Sequence, residues 1–271
     1  MMTFGFSPCP NDTYIFYALA NNKIDLRGLE FDFTIEDVET LNQLAFEKKL
    51  AISKVSSYAY FHLRKDYIFL KSGAAFGSGC GPLIVAKEDF TIKEQGRFRI
   101  GIPGRLTTAF LLLKLYFSVV FKSQLSNLDY IFMPFNEIMG AVKKGFIDAG
   151  LVIHEGRFIF AQYGLVKIVD LGEWWEAETD LPIPLGGIIA RREIAPDTIK
   201  IIEDLIVKSV KYSGNHFDET LGFIKQHSQE LEDSVIRQHI SLYVNDYTMG
   251  IGDKGEKALK ELFARAERFN V

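Results

Sequence analysis

Two apolar runs decide the fold: Gly81-Pro82-Leu83-Ile84-Val85-Ala86 and Gly186-Gly187-Ile188-Ile189-Ala190. Both are short, contain β-branched residues and open on glycine, the pattern of a buried strand rather than a helix. The stretch between them is self-contained. It holds a strand from Phe98 to Ile102, a turn at Pro103-Gly104 and an apolar helix from Thr107 to Phe121. An amphipathic helix from Asn136 to Lys144 follows, then strands from Ala149 to Ile153 and from Val166 to Leu171.

Outward from this block, Thr3 to Phe6 reads as a strand closed by Pro8 and Pro10. Asp12-Thr13 is then expected to cap a helix from Tyr14 to Ala20. Leu29 to Ile35 alternates apolar and polar side chains, as a half-buried strand does. Asp37 to Lys49 places Val38, Leu41, Leu44 and Ala45 on one helix face. Ala51 to Val55 is a short strand, with Ser56 and Ser57 capping the next helix, and beyond Arg192 the period is helical through Asn270. Strands alternating with helices predict βα units and mostly parallel sheets. With 271 residues, the chain exceeds the size at which a single core usually stops growing. The expectation is an α/β chain of two lobes. The first comprises residues 1–86 with 191–271, completed by C-terminal helices, and the second is inserted over residues 87–190. That layout resembles the type II periplasmic binding proteins, which implies a two-lobed fold with a central cleft.

Composition narrows the partners. Hydrophobic residues make up 48% and charged residues 24%, with a formal net charge of -4 and no basic tract. Nucleic acid and anionic membrane surfaces both select clustered Lys and Arg, so neither is expected as a partner. A small anionic molecule is compatible, because a cleft can be locally positive on a mildly acidic protein. The N-terminus carries no pattern of a secretory signal, and the most apolar stretch, Leu106 to Phe121, is interrupted by Lys114 and too short to span a bilayer. Two cysteines, Cys9 and Cys80, have no metal or redox spacing. A cytoplasmic setting is expected, with a disulfide between the two left open.

In open α/β sheets, ligands bind beyond the carboxyl ends of strands. Four segments lie there: Ser7 to Thr13, including Asn11 and Asp12; Ser53 to Ser57, including Lys54, Val55 and Ser56; Pro103 to Thr108; and Ile153 to Gly156. Thr107 and Thr108 read either as N-caps or as groups that hold a carboxylate or hydroxyl. Lys54 reads as a cation for an acidic substrate or as a solvated lysine. His154 ends an apolar strand, where an imidazole can accept a proton near neutral pH or serve structure alone. His62, His216, His227 and His239 fall in helical patterns and read as surface or packing residues. Gly77-Ser78-Gly79-Cys80-Gly81 matches no phosphate loop and reads as flexible backbone at a lobe boundary. Cys9 reads as a buried thiol or a nucleophile, and Trp174-Trp175 as packing or a stacking surface. No cluster has zinc spacing.

Several ordered blocks then point to one family. Gly5 to Thr13, Glu36 to Asn42, Pro103-Gly104-Arg105 with Thr107-Thr108, Ile153-His154-Glu155 with Arg157-Phe158, and Asp170 to Trp175 resemble the 1,4-dihydroxy-6-naphthoate synthase family of the futalosine route to menaquinone. The resemblance implies a carbon–carbon lyase that converts cyclic dehypoxanthinylfutalosine to 1,4-dihydroxy-6-naphthoate and releases a three-carbon sugar fragment, dihydroxyacetone. It implies no metal or organic cofactor. Its proton acceptor falls on His154, and its substrate contacts fall on Lys54-Val55-Ser56 and Thr107-Thr108. The small-molecule carboxylate substrate is the one partner expected, and a homodimer is left open. Leu106 departs from the family, where a more polar residue is expected. Three rivals share the fold: a solute-binding protein, the chorismate dehydratase of the same route, and the effector domain of a DNA-binding regulator. Export, the Ser7–Thr13 block with the tryptophan pair, and the missing basic face argue against each in turn.

Overall fold

The computed structural model describes residues 1–92, 97–121, 128–228 and 232–269. In chain order, β1 (Met2–Phe6), α1 (Pro10–Ala20), β2 (Phe31–Ile35), α2 (Val38–Phe46), β3 (Ile52–Ser56), α3 (Ser57–Leu63), β4 (Tyr67–Phe69) and β5 (Ala75–Gly77) come first. Next are β6 (Leu83–Ala86), β7 (Phe98–Ile102), α4 (Thr108–Val120), β8 (Leu128–Phe132), α5 (Phe135–Lys144), β9 (Ala149–Val152), α6 (Gly156–Ile159), a 3₁₀ turn (Phe160–Tyr163), β10 (Val166–Asp170) and α7 (Leu171–Thr179). The crossing strand β11 (Ile183–Arg191) leads into α8 (Pro196–Asn215), α9 (Phe217–His227), α10 (Asp233–Tyr243), α11 (Asp246–Met249) and α12 (Gly252–Phe269). The expected end of the helical region, Asn270, lies outside the described residues.

The chain divides into two units. The first comprises Met1–Phe76 with Gly186–Glu256, and the second Gly77–Leu185 with the chain from Lys257 onward. These boundaries differ from the expected ones at residues 86, 191 and 271. Strand β6 hydrogen-bonds to β9 and β10, so the segment leading into it joins the second unit. The end of α12 belongs there as well, because Arg265 lies 5.4 Å over the Trp175 ring and 3.9 Å from the Glu178 carboxylate.

The strand order of the first sheet is β2-β1-β3-β11-β4, with β5 also on β11; that of the second is β10-β6-β9-β7-β8. Both are mixed, which corrects the expectation of mostly parallel sheets. The βαβαβ units give the parallel halves: β1 with β2 and β3, and β7 with β8 and β9. The crossing strands run the other way, β11 antiparallel to β3 and β4, and β6 antiparallel to β9 and β10. Each sheet therefore repeats one plan. The second, first and third strands of a βαβαβ unit are followed by a crossing strand and a final strand.

In the first unit α1 is buried along nearly its whole length, and Phe4, Phe6, Ile15, Phe16, Ile188 and Leu205 form one core with it. A helix buried on nearly every side must be covered, and α8, α9 and α10 supply much of that cover. In the second unit Leu83, Val85, Ile138, Val142 and Val152 form the core. There α5 sits close on the sheet because two strand positions lack a side chain. A Cβ on Gly101 would come within 3.3 Å of Ile138 on α5, and one on Gly150 would overlap the same side chain.

The glycine-rich Gly77–Gly81 segment is tightly packed at Gly77 and Gly81 and open at Gly79. A Cβ on Gly81 would lie 2.5 Å from the Gly172 nitrogen, and one on Gly172 would overlap the Cys80 carbonyl. Backbone thus lies against backbone where α7 begins, and Leu171 N–H donates to Pro82 C=O at 2.9 Å. Gly172→Ala must push one backbone segment aside, which is expected to cost about 1–3 kcal/mol. A lowered urea midpoint at unchanged m-value checks this. Cys9 and Cys80 are both free and buried. Among the described residues no helix is long and apolar enough to cross a membrane.

Candidate active site

With the strands of each βαβαβ unit in the order second-first-third, the first and third are neighbours, so the loops at their carboxyl ends emerge side by side. In the first unit those strands are β1 and β3, paired Phe4 to Ile52 and Gly5 to Ser53. The loop after β1 holds Ser7, the first turn of α1 holds Asn11 and Asp12, and β3 carries Lys54 and Ser56. Helix α1 starts at Pro10, not near Tyr14 as expected, because proline's fixed φ suits the first helical position and its missing N–H is no loss there. Asp12 and Thr13 therefore lie within the first turn and do not cap it; Thr13 Oγ1 donates to Cys9 C=O at 2.9 Å.

That shift turns Asp12 into the hub of a buried network. Its side chain is 2% exposed and that of Lys54 6%. Oδ1 accepts from Lys54 Nζ at 2.7 Å and from Asn11 Nδ2 at 2.8 Å. Oδ2 accepts from Ser7 Oγ at 2.7 Å and from Ser7 N–H at 3.3 Å. Lys54 is thus no solvated lysine. A buried ammonium needs a counter-charge, and Asp12 supplies it. Among the described residues Asp12 Oδ1 is the acceptor recorded for that ammonium, which carries three N–H donors. Ser56 occupies the N-cap position of α3 without a side-chain cap bond. Its N–H instead donates to Asn42 Oδ1 at 2.9 Å. Val55 is a core residue paired with Gly187.

In the second unit the equivalent strands are β7 and β9, paired Ile100 to Ala149 and Gly101 to Gly150. Thr107 is the N-cap of α4. Its hydroxyl donates to Gly104 C=O at 2.9 Å and accepts from Phe110 N–H at 3.2 Å. Thr108 Oγ1 donates to Leu185 C=O at 2.7 Å. Both hydroxyl protons are therefore engaged within the unit; Thr107 caps α4, and Thr108 does not. The positive end of α4 persists, because first-turn N–H groups have no acceptor within their own helix.

His154 stands two residues beyond β9 in a turn closed by Gly156 N–H to Ile153 C=O at 3.1 Å. Its backbone is left-handed, with φ of 54°. Of the other non-glycine residues described with positive φ, Asn22, Lys48 and Asp180 end helices, and Arg27 shares a tight turn with Gly28. His154 instead joins a strand to a helix, where a histidine pays roughly 1–2 kcal/mol that a glycine would not. Its half-buried ring meets Phe135 edge-on, with centroids 5.1 Å apart. Just after it, Arg157 ties α6 to the sheet: Nη2 reaches Asp170 Oδ2 at 2.9 Å and Nη1 the Gly81 carbonyl at 2.5 Å. Asp170 also caps α7 through Gly172 N–H at 2.8 Å. The tryptophan pair lies on α7, and Trp175 is fully buried, its Nε1 donating to Pro182 C=O at 3.2 Å. Among the described residues no group of three or more His, Cys, Asp or Glu side chains converges on a metal position.

One residue expected only to pack or lie on the surface also reaches the site. His239 is buried on α10, and its Nε2 lies 3.0 Å from Asn11 Oδ1. Its helical surroundings gave no sign of that reach.

Comparison with known proteins gives a consistent result. The menaquinone biosynthesis family matches residues 2–268. A 1,4-dihydroxy-6-naphthoate synthase of Thermus thermophilus is 43% identical over 263 residues, covering 97% of this chain and 93% of that protein. One of Streptomyces coelicolor is 38% identical, covering 96% and 91%. A crystal structure of an Archaeoglobus fulgidus protein superposes with a TM-score of 0.90 at 34% identity, covering 99% of this chain and 97% of that one. The periplasmic aliphatic sulphonate binding protein of Escherichia coli superposes with a TM-score of 0.71 at 8% identity, covering 99% and 87%, which is a likeness of fold alone.

Proposed function

The chain belongs to the menaquinone biosynthesis family, and from that premise we propose that it acts as a 1,4-dihydroxy-6-naphthoate synthase. The observation that carries the reading is near-full-length identity, 43% and 38%, to two proteins of that name. It is an enzyme of menaquinone biosynthesis. The finer reading is a carbon–carbon lyase that takes cyclic dehypoxanthinylfutalosine to the naphthoate and releases dihydroxyacetone.

His154 is the proposed general base. It removes a proton from the sugar-derived part of the substrate, and a retro-aldol-type cleavage follows, driven by formation of the aromatic ring. The strained backbone supports this role, because left-handed non-glycine residues persist where the surroundings over-determine them, and such places are commonly functional. Substrate-binding roles are proposed for Thr107 and Thr108 through the N-terminal turn of α4, whose dipole favours a carboxylate. Lys54, Ser56, Asn11 and Asp12 are proposed as the binding group of the first unit, with Val55 holding β3 in register. Lys54 donates to substrate oxygen while Asp12 fixes its position.

The test is direct incubation of the purified protein with the cyclic substrate, following naphthoate and dihydroxyacetone by chromatography. Equimolar release of both is the expected result. Binding without release would favour a solute-binding protein, and turnover of chorismate would favour the dehydratase.

A further inference from the structure

The buried polar network of the first unit extends beyond the residues just assigned. Asn11 uses both ends of its amide: Nδ2 donates to Asp12 Oδ1 at 2.8 Å, while Oδ1 faces His239 Nε2 at 3.0 Å. An amide oxygen only accepts, so the His239 nitrogen facing it must carry the proton. His239 is 1% exposed and Asn11 6%. Neither group can exchange its partner for bulk water at little cost.

We propose that His239 is a positioning residue for Lys54, acting through Asn11 and Asp12. The chain of donors runs one way, from His239 Nε2–H to Asn11 Oδ1 and from Asn11 Nδ2–H to Asp12 Oδ1, the same oxygen that receives Lys54 Nζ at 2.7 Å. His239 therefore decides which face of the Asn11 amide meets Asp12. With the donor in place, the amide presents N–H to the carboxylate. Without it, the buried Asn11 oxygen loses its donor, the amide shifts to regain one, and the shared Oδ1 loses the fixed position of its second donor. Lys54 then moves, because Oδ1 is the acceptor that fixes it. The C-terminal helix α10 is in this way part of the binding machinery, not only cover for α1. The inference rests on Lys54 being a substrate-binding residue, as proposed above.

The test compares His239→Gln with His239→Asn. The glutamine amide nitrogen can reach the place of Nε2, whereas the shorter asparagine amide reaches only as far as Nδ1. Both variants put a neutral amide in the same buried site, so a purely structural role would move them together. The expected result for His239→Asn is a KM about tenfold higher with kcat within about threefold, as for loss of one binding contact. His239→Gln is expected to restore KM to within about twofold. The side-chain ¹⁵N–¹H resonance of the Lys54 ammonium is expected to shift in the asparagine variant and not in the glutamine variant. Equal KM in both variants, or an unmoved Lys54 resonance in His239→Asn, would overturn the proposal. If the parent protein does not turn over the cyclic substrate, the synthase reading fails. The Lys54 resonance still decides the positioning claim.

Discussion

Replacing His154 with alanine is expected to lower kcat on the cyclic substrate about a thousandfold, within the roughly 10²–10⁴-fold range of general base catalysis. Binding of the naphthoate product, measured by calorimetry, should change by less than about threefold, because the proton acceptor acts on the transition state more than on the ground state. His154→Gly separates chemistry from structure more sharply. At φ of 54° glycine relieves backbone strain that histidine carries, so this variant should be as inactive as the alanine one yet unfold at an equal or higher urea concentration. Turnover near that of the parent in either variant would remove His154 from the mechanism. A midpoint well below that of the parent in the glycine variant would show that the ring is needed for folding, for instance through its contact with Phe135.

The second large effect concerns Asp12. Asp12→Ala strands the Lys54 ammonium in a site where it is 6% exposed and removes the acceptor of Ser7 and Asn11 as well. Breaking a buried ion pair by deleting one partner typically costs about 3–5 kcal/mol, so the variant should approach the limit of a marginally stable fold. Asp12→Asn combined with Lys54→Met removes both charges at similar volume and is expected to recover most of that stability, read as the urea midpoint. The same double variant should bind product at least about tenfold more weakly, since Lys54 is a proposed contact. Stability restored together with undiminished binding would mean that the pair serves the core alone.

Much of this was legible in the chain because the decisive signals are local. The short apolar runs at β1, β3, β7 and β9 carry their own period, so each lies within a residue or two of its expected bounds, and α2 and α4 begin one residue after Asp37 and Thr107, where helices are expected to start. The errors arise where a choice depended on distant groups. The start of α1 hinged on whether Pro10 begins the helix or Asp12-Thr13 cap it ahead of Tyr14, and the carboxylate is claimed by Lys54, 42 positions away. The expected strand ending at Leu171 overran into α7, although Asp170 followed by Glu173 is a capping signal readable without any structure. Strand β8 went unread because Leu128-Asp129-Tyr130-Ile131-Phe132 alternates only at its start. His239 reads from sequence only as a surface or packing residue, because nothing in a helical period shows that an imidazole meets a partner 228 positions earlier.

The shared plan of the two sheets has a consequence for the order in which they are completed. In the second sheet the crossing strand β6 precedes its neighbours in the chain, so all five strands exist once Asp170 has been synthesised. In the first, β3 waits for β11, and Ser56 meets Gly186 only after the whole intervening stretch has left the ribosome. Until then the β3 edge is an unpaired strand margin, the feature most exposed to wrong pairing in a nascent chain. Vectorial synthesis thus favours an inside-out sequence, in which the interrupting segment folds while the first sheet is still half-built. His239, which holds Asn11, arrives late, because α10 is translated after both α1 and β3.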